Sequence, residues 1–229
     1  MNELKAIAQE MHPRSIAARD WVFLTLRAAI VRNVLPGGMP LKQDEVSAAL
    51  SVSHIPVREA FRQLEAQGLV RIYPNRGAVV TQLTRTEIEN IMDARIILEL
   101  GAMRAAMPHL SEETLSRAKD LIDEHAEEKD CNRMEEKNLK FHFLLYEQAN
   151  NPVLLQLIDQ LHANVDRYIR PFYSREELYS KTREQHAELL RACMDKDQEL
   201  ATAVLRTHLE TTKVLLLNSP GMLETARER

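Results

Sequence analysis

Apolar positions recur at helical spacing along most of this chain, and they alternate at strand spacing in one short stretch only. Ile16, Val22, Phe23, Leu26, Ile30 and Val31 predict a helix from about Ser15 to Val34, which Pro36-Gly37-Gly38 halts. Leu41 leads into a second, short helix over Gln43 to Leu50 that buries Val46, Ala49 and Leu50. Ser51-Val52-Ser53 then reads as a turn. Ser53 is placed to cap the next helix, and Pro56 fits that helix's start, where a missing N–H costs little. The third helix runs from about Ile55 to Gln67 with an inward stripe of Val57, Ala60, Phe61 and Leu64, and it stops at Gly68. Residues 69–73 and 78–81 read as two strands about the turn Pro74-Asn75-Arg76-Gly77. Three helices and a hairpin make a winged helix-turn-helix, a first domain over residues 1–82.

After Thr81 the strand signal ends. Long amphipathic helices are expected at about 84–107, 111–129, 132–149, 152–170, 175–194 and 197–217, with breaks at Pro108, Asn150-Asn151-Pro152, Pro171 and Asp195-Lys196-Asp197. Thr84 with Glu87 has the spacing of a capping box, and Asn151-Pro152 reads as an N-cap followed by an N1 proline. Residues 83–229 therefore form a second, all-helical domain, with a frayed tail from Ser219. The fold class is mainly α: an N-terminal winged helix-turn-helix followed by a bundle of six to seven helices.

Composition narrows the functions open to such a chain. No apolar run in the 229 residues approaches the ~20 needed to span a membrane. Cys131 and Cys193 stand singly, without metal-ligand spacing, as free thiols of a cytoplasmic protein do. The net charge of −4 argues against a nonspecific nucleic-acid coat. Its distribution is more telling. Residues 1–80 hold ten Lys/Arg against seven Asp/Glu, whereas residues 81–229 hold twenty against twenty-seven. A mildly basic front and an acidic back suit a polyanion-binding module joined to a module of another kind.

A helix that enters the major groove needs long hydrogen-bond donors on its outward face. Arg58 and Arg62 are i, i+4 neighbours on one face of the third helix. Ser53 and His54 lead that helix, where its first turn can meet phosphates or base edges. Arg76 and Gly77 stand at the hairpin tip, within reach of a neighbouring minor groove. The bland alternative is a solvated face with Glu59 paired to an arginine. It accounts for either arginine alone, but less well for the whole order of elements.

In the helical half, His142 follows Asn138 by one turn, so both project from one face. His186 and His208 lie in the last two helices, which an antiparallel pairing can set opposite each other. Three imidazoles and one oxygen donor suffice for a divalent ion. The bland alternative is a polar pocket whose histidines bind a ligand directly. Arg95 and Glu99 form an i, i+4 pair in the first helix of this half. His109 and His125 read as surface residues, and spacing leaves His162, Arg167 and Tyr168 undecided.

The segment Leu35-Pro36-Gly37-Gly38, then Val52 to Phe61, Gly68-Leu69-Val70 and Asn75-Arg76-Gly77, resembles the GntR family of bacterial transcription regulators. That family usually reads V-S-R-x-P-V-R-E-A-L there. This chain departs at His54, where Arg is usual, and conservatively at Phe61. The resemblance implies that Arg58, Arg62 and the wing tip contact double-stranded operator DNA, with a homodimer matching a short inverted repeat. Asn138 to His142, Asn150-Asn151-Pro152, Gln185-His186 and Leu205 to Leu209 resemble the FCD effector domain of FadR-type members. In metal-binding members an Asp four residues before the first His joins three His as ligands. Here the set would be Asn138, His142, His186 and His208, holding zinc or nickel, with Asn in the place of that Asp. Arg95 and Glu99 match an Arg-x-x-x-Glu whose arginine faces the cavity, which implies a small carboxylate metabolite as effector. A metal-dependent hydrolase and a long-chain acyl-CoA sensor are the competing readings; the first leaves the arginine-bearing helix unexplained, and the second conflicts with three histidines in the pocket.

Overall fold

The computed structural model describes residues 1–11, 16–74, 77–174 and 176–218, and for residues 125–127, 174 and 176–179 the backbone alone. The chain divides into two compact units, Met1–Leu83 and Thr84–Arg229. The expected start of the first long helix at Ser15 and the frayed tail from Ser219 lie outside the described residues.

The first unit opens with a helix that the apolar pattern did not announce, α1 (Asn2–Glu10). Nine residues are too few for a stable helix in isolation. Tertiary contacts hold this one. Leu4, Ile7 and Ala8 are buried, the Trp21 indole N–H donates to the Ala8 carbonyl at 3.2 Å, and Arg32 grips the Glu10 carboxylate through two bonds of 2.6 and 2.7 Å. Trp21 lies in α2 (Ala18–Val31), which is shorter at both ends than the expected span. Its apolar side packs on α4 (His54–Ala66), with Val22, Leu26, Val57, Phe61 and Leu64 forming the core between them. The short helix α3 (Gln43–Leu50) buries Val46, Ser47 and Leu50, while Ala49 is only half-buried.

Strand β1 (Pro40–Leu41), too short to be legible in the sequence, joins the expected hairpin of β2 (Val70–Tyr73) and β3 (Gly77–Val80) in an antiparallel sheet of order β1-β3-β2. Leu41 pairs with Ala78, and Tyr73 with Gly77. Helix α4 ends as expected at Gly68, whose φ is +77°. The Leu69 N–H bonds to the Leu64 carbonyl and the Gly68 N–H to that of Glu65, a Schellman closure that turns the chain directly into β2. At the other end Ser53 occupies the N-cap position in extended backbone, but its side chain makes no capping bond.

The second unit is all helical. It begins with α5 (Arg85–Ala106), started by a complete Thr84–Glu87 capping box. There follow α6 (Glu112–Glu127), α7 (Cys131–Tyr146), α8 (Pro152–Ile169), α9 (Glu176–Met194) and α10 (Gln198–Leu217). The Asn151 side chain caps α8 ahead of its N1 proline, and Asp197 caps α10. Helix α5 packs on α8 and α10, and α6 on α7 and α9. The apolar core between them includes Met103, Phe141, Leu145, Leu189, Cys193 and Leu205. Burial there pushes the Cys193 thiol up to about 12. The mainly α architecture, a winged helix followed by a helical bundle, is the fold class that the periodicities implied. No described helix is long and apolar enough to cross a membrane.

One property of this bundle does not follow from amphipathic packing. Arg95, Glu99, Glu135, Asn138, His142, His162, Asp166, Arg170, His186 and His208 are all at least nine-tenths buried. Polar and ionisable groups rarely bury in such number unless they are paired or bind something.

Candidate metal centre and candidate nucleic-acid interface

Three helices build the centre of this polar interior. On α7, Glu135, Asn138, His142 and Tyr146 are spaced by three and four residues and share one face. His142 meets His186 of α9 and His208 of α10, with ring centroids 4.9 to 5.1 Å apart. Nitrogens of all three rings lie within 4.8 Å of one another. The fourth residue of the sequence-derived set, Asn138, lines the same small cavity as His142 and His208.

Neighbouring groups set which ring nitrogens carry lone pairs. The Tyr146 hydroxyl donates to Glu99 at 2.9 Å, so its oxygen is left to accept from His142 Nδ1 at 3.3 Å. The His142 Nε2 is then the lone-pair nitrogen. In the same way His208 Nδ1 lies 3.0 Å from the Gln185 Oε1 acceptor, which leaves its Nε2 as the basic atom. Burial lowers the His208 pKa to about 4, so the ring is neutral at physiological pH. A neutral imidazole is the form that binds a metal.

Arg95 and Glu99 also enter this interior. The Arg95 Nε donates to Glu99 at 2.8 Å, and both side chains are buried. Burial, then the charge of Glu99, raises the Tyr146 pKa well above its ordinary value, so Tyr146 remains a hydrogen-bond donor. The cavity that these elements enclose measures about 40 Å³. Its polar lining includes Arg95, Asn138, His142, His162, Tyr173 and His208, with Thr182 and Thr212; Ile169, Phe172, Leu209 and Leu215 supply the apolar part. One water needs roughly 10–15 Å³ of such space, so the cavity as it stands suits an ion with a few light atoms.

A second buried group went unmarked in the sequence. Glu135, His162 and Asp166 place their ligand-type atoms within 4.8 Å of one another. His162 Nε2 lies 2.9 Å from Glu135, and Arg170 holds Asp166 with contacts of 2.5 and 2.9 Å. Burial works to raise the Glu135 pKa, yet bonds from His162 and Tyr173 hold it below the usual carboxylate range. Burial and the charge of Glu135 push Asp166 up to about 6. His162, Asp166 and Arg170 follow one another at i, i+4 along α8 and the turn after it, a spacing that gives them one face without telling whether that face is buried. Of the other undecided residues, Arg167 is buried against Tyr168, its guanidinium 4.9 Å from the ring centroid. His109 is exposed, and the His125 side chain lies outside the described residues.

The donors fit a divalent ion. Three imidazoles converge, two of them with Nε2 free of protons by the bonding just described, and the Asn138 amide oxygen is buried with no hydrogen-bond partner among the described residues.

The first unit carries its chemistry on the outside. Ser53, His54, Arg58 and Arg62 are all exposed along α4 and its leading turn. Neither Arg58 nor Arg62 pairs with a carboxylate among the described residues, so the Glu59 pairing of the bland alternative is not formed. The His54 ring lies 3.4 Å from Asp44, at the start of α3. Arg76 lies outside the described residues. Gly77 has a role in the fold itself: its φ is +84°, and an added Cβ would stand 2.4 Å from the Leu41 carbonyl oxygen. The glycine there lets β3 close on β1, whatever else the wing tip touches. An open groove of about 750 Å³ between α4 and the wing also takes in Lys42, Gln43 and Tyr73, which sequence reasoning had not singled out.

Comparison with known proteins agrees with both halves. Residues 19–80 match the family model of bacterial regulatory proteins of the gntR family, and residues 90–211 match that of the FCD domain. The chain is similar to the HTH-type transcriptional repressor RspR of Escherichia coli K12, with 27% identity over 192 residues, 82% of this chain and 84% of that protein. It is also 27% identical over 225 residues to a probable D-xylose utilization operon transcriptional repressor of Paenarthrobacter nicotinovorans, covering 97% and 98% of the two chains. Among solved structures, Escherichia coli McbR/YncC shares the fold with a TM-score of 0.78 at 23% identity, over 88% of this chain and 98% of that one. A GntR family member from Pseudomonas syringae is 30% identical with a TM-score of 0.50, over 94% and 93%.

Proposed function

This chain belongs to the gntR family of bacterial regulatory proteins and carries an FCD domain after its winged helix, and from that premise we propose how it acts as a DNA-binding transcriptional regulator. It is a repressor that binds a short inverted-repeat operator as a homodimer in the cytoplasm. Exposed Arg58 and Arg62, led by Ser53 and His54, reach the major groove, and Arg76 with Gly77 reaches the minor groove beside it. Relatives named as transcriptional regulators and repressors support the regulatory reading over an enzymatic one.

The helical unit is the sensor. Asn138, His142, His186 and His208 would hold zinc or nickel, and a small carboxylate metabolite would bind beside it, met by Arg95 and Glu99. When bound, the ion supplies a positive charge that a carboxylate can share with the Arg95 guanidinium. The convergence of three buried imidazoles, two of which line one small cavity together with Asn138, carries this reading. The effector acts only as far as it binds the DNA-bound and DNA-free arrangements with different affinity.

Metal analysis tests the sensor. Purified wild-type protein should retain or take up one zinc or nickel ion per chain, and the His142→Ala/His208→Ala variant should take up none while keeping its helical circular dichroism. Unchanged metal content in that variant would falsify the site. A metal-free wild type whose DNA binding still answers to small carboxylates would point instead to a pocket whose histidines bind the effector directly.

A further inference from the structure

Building on the metal centre proposed above, we infer that Glu135 is the positioning residue that turns Asn138 into a metal ligand, the two acting as one carboxylate–amide unit. An amide side chain has a donating and an accepting end, and rotation by half a turn exchanges them. Here the exchange is blocked. The Asn138 Nδ2 lies 3.0 Å from Glu135 Oε2, and a carboxylate can only accept. The nitrogen is therefore fixed toward Glu135 and the oxygen away from it.

That oxygen is the buried Oδ1 with no hydrogen-bond partner among the described residues, on a side chain that lines the cavity with His142 and His208. A buried carbonyl left without a donor is unfavourable unless something else satisfies it. A cation would do so.

Glu135 cannot readily take the ligand position itself. Its carboxylate is held by His162 Nε2 at 2.9 Å and by the Tyr173 hydroxyl as well as by Asn138. It acts one atom group removed, drawing on the amide N–H and so increasing electron density on the amide oxygen. It also adds a single negative charge next to four donors that are themselves neutral. Outer partners of this kind orient ligands and raise their basicity.

The arrangement explains why an amide stands at position 138. Aspartate there would set two carboxylates about 3 Å apart, and like charges so close cannot both ionise without large cost. The unit needs one carboxylate and one amide, and their order can be exchanged.

The test measures zinc affinity of the full chain by competition with a chromogenic chelator, for the wild type, Asn138→Ala, Glu135→Gln, Asn138→Asp and Glu135→Gln/Asn138→Asp. Asn138→Ala and Glu135→Gln should each weaken binding by about 10–100-fold. Asn138→Asp alone should bind no tighter than the wild type, whereas the exchanged double variant should recover to within about threefold of it or better, a coupling that independent sites do not show. Wild-type affinity in Glu135→Gln, or a double variant no tighter than Glu135→Gln, overturns the inference while leaving the metal centre intact. No zinc uptake by the wild type overturns both. Should Glu135→Gln fail to fold, Asn138→Asp decides: a tenfold gain with Glu135 in place is incompatible with the unit.

Discussion

The two units place their chemistry in opposite ways. In the first, Ser53, His54, Arg58 and Arg62 are consecutive or one turn apart, exposed, and supported by a core that they do not enter. In the second, Arg95, Asn138, His142, His186 and His208 come from four helices and lie at most 7% exposed. The first arrangement keeps these side chains apart from the core, so they can change without disturbing the fold. The second joins the two, because each group in the polar interior is also part of what holds α5, α7, α9 and α10 together. The proposed reader, exposed, and the proposed sensor, buried, should therefore answer differently to the same kind of substitution.

The largest contrast should come from Arg95→Ala. It leaves the Glu99 carboxylate buried with only Tyr146 as its described partner, and loss of one member of a buried pair typically costs about 3–5 kcal/mol. Urea unfolding followed by circular dichroism measures this, and Arg95→Met/Glu99→Leu should lose distinctly less. A cost below about 1 kcal/mol for Arg95→Ala would mean that the interior is wetter than its burial implies.

The next effect is a pH dependence, read in metal-free protein. His208 takes up its proton near 6.5 when unfolded but only at about 4 when folded. Its contribution to stability is complete above pH 6.5 and is lost as pH falls toward 4, by on the order of 3 kcal/mol. Asp166 works in the other direction. Its value rises from 3.8 to about 6 on folding, so its contribution is complete below pH 3.8 and is lost as pH rises through 6. The two slopes offset each other between pH 4 and 6. His208→Gln should expose the falling slope of Asp166, and Asp166→Asn should steepen the acid sensitivity. Parallel stability profiles for the three proteins between pH 4 and 7 would sink this account.

The smallest effect on the fold belongs to the exposed residues of α4. Arg58→Ala should lower specific DNA affinity by about 1–3 kcal/mol and leave the unfolding midpoint unmoved. Equal loss on operator and random duplexes would make Arg58 a phosphate contact, without base readout.

How far each unit could be read from the sequence follows from the same contrast. The winged helix was legible nearly element by element, because its signals are local: Gly68 stops α4, Val57, Ala60, Phe61 and Leu64 mark its inner face, and the strand alternation is short but clean. What escaped there depends on distant partners. Helix α1 exists through Trp21 and Arg32, and β1 through its pairing with Ala78 and Val79. Ser53 had the right residue type for a cap but not the bond, since local preference gives the position and tertiary packing gives the rotamer. In the bundle, helix spans and caps were legible, and the resemblance supplied the histidines. Glu135, Asp166 and Arg170 remained hidden, because a charged residue at helical spacing looks the same in sequence whether it faces water or a buried partner. Tyr146 was hidden for a related reason. Its hydroxyl links His142 to Glu99 across 47 residues of separation from the latter, which no local pattern reports.

Cys193 adds a use of its own. Its thiol sits in the bundle core with a pKa of about 12, and the thiolate is the reactive form, so at neutral pH alkylating reagents find neither access nor a nucleophile. Cys131, at the start of α7, is partly accessible and supplies the reference on the same chain. The ratio of the two labelling rates counts the fraction of molecules whose bundle is open at any moment. The chain thus carries a built-in clock for breathing of the helical bundle, one that can be read with added zinc, with an added carboxylate, or with neither.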